Sequence, residues 1–193
     1  MIKADAFHRA FDRGFSEPAT AAGLTRRRGR ASIWLAARSA GSLTLAVRVN
    51  PKASALPFSP GEFSLDWKWE GPRTDPADDG TVSHFQYDTE ADRAALPALN
   101  AAVLDRAERL EAEPAPLRAG RDALLAVRRE GLALPPVPNH PGYAFYYLDE
   151  SDADAWGRWL GARLSGWLTR FDAAPETLQA WCWRVLWKDL PRR

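Results

Sequence analysis

The sequence predicts an α+β domain: a four- to five-stranded, mostly antiparallel sheet, with helices rich in tryptophan and leucine packed on one face. Three observations lead there. Segments 32–38, 43–49, 62–70 and 81–88 alternate their side chains in the two-residue rhythm of a half-buried strand. The segments before and after them repeat apolar residues at helical spacing. The order is one helix, a run of strands joined by short loops, then mostly helices, and such strands usually pair antiparallel beneath a helical layer. A chain of 193 residues fits one domain spanning residues 1–193.

Taken in order, residues 4–15 set Phe7, Phe11 and Phe15 four apart, along one helical face. A basic connection, "LTRRRGRAS", leads into the first strand, where Ile33, Leu35 and Ala37 oppose Trp34, Ala36 and Arg38. In the second strand Leu43, Leu45, Val47 and Val49 face one way, and Thr44, Ala46 and Arg48 the other. "GEFSLDWKWEG" at 61–71 places Phe63, Leu65, Trp67 and Trp69 against Glu62, Asp66, Lys68 and Glu70. The stretch 71–80 is turn chemistry, and 81–88 reads as a strand with His84 and Gln86 on one side.

The helical part begins with a Thr89–Asp92 capping pattern and leucines at 96, 99, 104 and 110, and Pro97 starts or kinks that helix. A second helix covers about 117–130, and 143–148 is a short aromatic strand. Ser151 with Asp154 forms another capping pattern before a stripe of Trp156, Trp159, Leu160, Leu164, Trp167, Leu168 and Phe171. A last helix opens at Pro175 and carries two apolar faces: Leu178, Trp181, Cys182 and Val185 on one, Trp183, Trp187 and Leu190 on the other.

Chemistry is scarcer than architecture. A formal net charge of +1 argues against a nucleic-acid partner. A single cysteine, Cys182, excludes an internal disulfide and suits a reducing compartment. With no signal-peptide pattern and no long apolar run, a cytoplasmic protein without a membrane segment is expected. The three histidines, His8, His84 and His140, form no zinc-binding spacing, and no phosphate-cradling glycine motif or nucleophile elbow occurs. No cofactor is therefore expected.

One pattern invites a catalytic reading. Asp66-Trp67-Lys68 has the acid–x–lysine form of metal-dependent nucleases, in which carboxylates hold a divalent cation and a lysine stabilises the attacking water. Glu62, Asp66 and Lys68 share a strand face, and His84 could serve as base. However, four lysines in a chain with 25 acidic residues produce roughly half a chance match, and the partner aspartate of such sites is missing. A solvated face of Arg48, Asp66, Lys68, His84 and Gln86 accounts for the same residues.

Four segments together, "FDRGF", "GLTRRRGRASIWL", "PGEFSLDWKW" and "LDESDADAWGRWL", resemble a bacterial domain-of-unknown-function family, the one numbered forty-three-oh-four. The likeness covers roughly residues 5–170, and of that family's asparagine–glycine signal this chain has Asn50 alone. What the resemblance implies is a cytoplasmic accessory domain, such as the neutralising partner of a toxin, with no catalytic residues to carry over. The expected function is a non-enzymatic protein-binding module, an immunity-type inhibitor, contacting its partner through Arg48, Asp66, Lys68, His84, Gln86, Trp183 and Trp187. A homodimer through the last helix, and the metal-dependent nuclease centred on Glu62, Asp66 and Lys68, stand as alternatives.

Overall fold

A computed structural model describes residues 2–38, 41–50, 59–70, 79–81, 90–110, 115–133 and 145–173. Helix α1 (Ala4–Ala21) buries Phe7, Phe11 and Phe15 completely, as their spacing requires. It runs past Pro18, whose ring lies against Gly161 of the helix Glu150–Ala173, where a side chain would collide with it. It ends in a Schellman motif. Gly23, at φ 81°, donates to Thr20 O (3.0 Å), Leu24 donates to Ala19 O (2.9 Å), and Leu24 is buried.

The sheet is antiparallel throughout. Strands β1 (Thr25–Arg26), β2 (Ile33–Arg38), β3 (Gly41–Asn50), β4 (Gly61–Glu70) and β5 (Asp79–Thr81) lie side by side in chain order. Strand β6 (Phe145–Tyr147) shares the outer edge of β4 with β5: β5 pairs with Asp66–Lys68, β6 with Gly61–Phe63. Among the described residues the sheet thus has six strands in five lanes. Strand β5 begins two residues inside the stretch read as turn, and residues 82–88 lie outside the described set.

The two-residue rhythm fixes the faces. Trp34 opposes Leu45, Leu45 opposes Trp67, and Val47 opposes Leu65; all of these are buried. Helices α1 and α4 (Glu150–Ala173) cover that face. The two helices touch through glycine: a β-carbon on Gly157 would strike Phe11 O, and one on Gly14 would strike Asp154 O. Rings fill the remaining volume, with Phe7 4.5 Å from Tyr147, Phe63 4.8 Å from Phe145, and Phe145 4.9 Å from Trp156.

Helices α2 (Glu90–Glu108) and α3 (Ala115–Ala133) gather at the β6 end. Helix α2 starts ahead of Pro97, and Leu96, buried in the main core, holds the turn on which that proline sits. Tyr146 points away from Phe145 and Tyr147 and makes a second, smaller cluster with Val103, Leu104, Ala107 and Leu125. The outward peptide groups of β6 would be orphaned at a bare edge. Here Tyr146 N–H donates to Asn100 Oδ1 of α2 (2.9 Å), and the Trp156 indole donates to Tyr146 O (2.8 Å).

The N-terminus of α4 is capped two residues earlier than Ser151 and Asp154 suggest. Asp149 Oδ1 accepts from the N–H of Ser151 (2.9 Å) and of Asp152 (3.1 Å), and Ser151 Oγ turns back to the same oxygen. Arg106 of α2 decides the choice, reaching Asp149 (2.6 Å) and Asp152 (2.5 Å) at once. Among the described residues no helix is long and apolar enough to cross a membrane.

Candidate functional site

On the outer face of the sheet the polar half of each strand comes together. The register sets Arg48 of β3 against Ser64 of β4, one step from Asp66. Arg48 Nε lies 2.9 Å from Asp66 Oδ2, and Ser64 Oγ donates to Asp66 Oδ1 at 2.8 Å. The carboxylate is largely covered, whereas the Arg48 side chain is 78% exposed. Around the pair lie Thr44 and Ala46, half-buried, then Ile33 and Leu35 of β2; Leu35 is 41% exposed. Arg48 and Asp66 are therefore neighbours, as the alternation predicts. The backbone of Lys68 pairs with Thr44 and Asp79, and its side chain is outside the described set. His84, Gln86, His140, Cys182, Trp183 and Trp187 also lie outside the described residues.

Glu62 points to the same face as Asp66, but two guanidinium groups hold the two carboxylates separately. Arg128 of α3 approaches Glu62 Oε1 at 2.6 Å, donates to Pro60 O at 2.8 Å, and stacks 4.8 Å over the Tyr146 ring. Its side chain is 3% exposed. Burial pushes the Tyr146 hydroxyl well above its ordinary range; the Glu62 charge adds to this and Arg128 opposes it. A divalent cation at Glu62 and Asp66 would have to displace both arginines. Among the described residues no three His, Cys, Asp or Glu side chains group so as to hold a metal ion.

A second polar assembly was not expected from the sequence. Both ends of the basic loop between β1 and β2 are bolted to α1. At one end Arg26 Nε donates to Asp12 Oδ2 (2.6 Å); at the other, buried Ser32 meets His8. Ser32 N–H donates to His8 Nδ1 (3.2 Å), Ser32 Oγ lies 3.2 Å from the same nitrogen, and Oγ also donates to His8 O (3.3 Å). His8 Nδ1 must be unprotonated to accept that peptide N–H, so the proton sits on Nε2. Burial lowers the His8 pKa, assisted by Arg26 and opposed by Asp12 and Asp5. The set Ser32–His8–Asp12 has the residue types of a hydrolytic triad without its geometry, because the serine is fully buried and its hydroxyl is spent on a backbone carbonyl.

For Arg128 the sequence carries a signal in helical spacing: Arg121, Leu125, Arg128 and Leu132 fall on a single stripe of α3, and an arginine among packed leucines calls for a partner. Searches of protein-family models, of curated proteins and of solved structures returned no match to this chain.

Proposed function

We propose that this chain is a non-enzymatic protein-binding module of a bacterial cytoplasm, an immunity-type inhibitor that occludes the working surface of a toxin. The observation that carries the reading is the outer sheet face. Exposed Leu35 and Arg48 stand there on an antiparallel frame, with the Arg48 guanidinium steadied by the more deeply set Asp66. An apolar anchor flanked by a charged rim is the composition of an interface, where a few buried side chains give affinity and complementary charge gives association rate. The resemblance to the family numbered forty-three-oh-four points the same way. The nuclease alternative is weakened by the two guanidinium groups on its carboxylates.

The test is face-dependent capture. Immobilised chain should recover one protein at stoichiometric yield from its native host, and Leu35→Glu with Arg48→Glu should abolish recovery while leaving the circular dichroism spectrum unchanged. Recovery that is indifferent to those substitutions refutes the reading. Mg²⁺ or Mn²⁺ should leave the melting temperature where it is; a rise that Asp66→Ala removes would restore the nuclease.

A further inference from the structure

We infer that the arginine loop at residues 27–31 is a preformed receptor for an acidic segment of a protein partner. The inference rests on the protein-binding reading above and supplies the partner's charge. Four arginines crowd into "TRRRGR", and one of them turns its guanidinium back onto the molecule. Arg26 Nε goes to Asp12, Nη1 donates to Arg27 O (2.8 Å) and Gly29 O (3.2 Å), and Nη2 donates to Ala31 O (3.3 Å). The loop is thereby wrapped around a guanidinium. Gly29, at φ 141°, supplies the one backbone angle that a side chain would resist. Ser32, locked to His8, closes the far end.

What this scaffold holds outward is positive charge. Arg27, Arg28 and Arg30 are exposed, and the Arg30 side chain is 87% exposed, with a loose 3.4 Å pair to Asp5. Arg27 and Arg28 make no ion pair among the described residues. Arg9, also exposed, follows one helical turn after Asp5 on α1. Guanidinium forks match carboxylates in bidentate fashion, and a loop already fixed gives up little entropy on binding. The loop also borders the proposed interface: Arg27 N–H donates to Ile33 O (2.8 Å), next to Leu35.

Carboxylates fit better than a phosphodiester backbone for two reasons. The whole chain carries a formal charge of only +1, too little to draw in a long polyelectrolyte. No aromatic ring occurs in residues 25–32 on which a base could stack.

The experiment is fluorescence anisotropy of the full chain with a labelled oligoglutamate peptide and, separately, a short DNA duplex. The peptide should bind, weaken as salt is raised, and lose about tenfold in affinity with Arg27→Ala and Arg28→Ala together. Arg26→Gln is the sharper variant, because Arg26 acts as a positioning residue. It should weaken peptide binding although every exposed arginine remains, with the melting temperature measured alongside. No peptide binding, equal binding by the double variant, or tighter binding of the duplex overturns the proposal. If the peptide result fails while Leu35→Glu still abolishes capture, the acidic partner falls and the binding module stands.

Discussion

Replacing Gly157 by alanine isolates what holds the two long helices together. In an ordinary helix the change is favourable by about 1 kcal/mol, since alanine loses less backbone entropy and is the better helix former. At Gly157 the added carbon would overlap Phe11 O and lie 3.1 Å from Phe15 N and 3.2 Å from Phe11 C. These are backbone atoms, so no rotamer change relieves the overlap. Helix α4 must lift off α1, loosening the rings of Phe11, Phe15 and Trp156 beneath. Overpacking of this kind costs about 3 kcal/mol at the upper end of its usual range, which leaves a net loss of about 2 kcal/mol. Gly166, on the exposed side of the same helix, has nothing within 4 Å of its would-be β-carbon and serves as control. Urea unfolding followed by tryptophan fluorescence, with thermal circular dichroism, reads both. Gly157→Ala should lower the melting temperature by about 4–8 °C and Gly166→Ala should raise it by about 2–4 °C. Should Gly157→Ala prove as stable as the parent, the close glycine contact is not what seats these helices.

Other expectations are equally direct. Glu62→Ala strands a buried guanidinium and should destabilise by about 3 kcal/mol in urea unfolding, whereas Glu62→Leu with Arg128→Met should stay within about 1 kcal/mol of the parent. His8 has a folded pKa below its ordinary 6.5, so the native state binds fewer protons than the unfolded chain in weak acid. Its contribution to stability is complete above about pH 6.5 and is lost as pH falls toward the lowered value. His8→Gln should flatten the melting-temperature profile in that window. Asp149→Ala removes the α4 cap and should cost about 1 kcal/mol, while Ser151→Ala should cost a few tenths at most; thermal melts at neutral pH separate them.

Much of the architecture was legible because it depends on rhythm. Once Trp67 is placed in a dry layer, a strand leaves Asp66 no choice but the other face, and both residues are found there. The phenylalanine ladder of α1 and the stripe of α4 were readable for the same reason. What escaped is what depends on pairing across the chain. The early cap of α4 follows from Arg106, which lies on another helix, and both Asp149 and Ser151 are competent caps in isolation. The seat of the Pro18 ring against Gly161 likewise joins two helices far apart in the chain. Arg128 went unread, because its partner lies 66 positions away and no local spacing predicts that meeting. The arginine loop looked like solvated charge, since only the fold brings Asp12 and His8 up to its two ends.

The contact between α1 and α4 also sets a timetable for biosynthesis. Phe7, Phe11 and Phe15 leave the ribosome more than a hundred residues before the helix that closes over them. At roughly 5–20 residues per second the delay is on the order of ten seconds. Over that interval the three rings have only the sheet to rest on, through Trp34 and Phe63, and the flank of α1 that carries Gly14 stays open to water until α4 closes it.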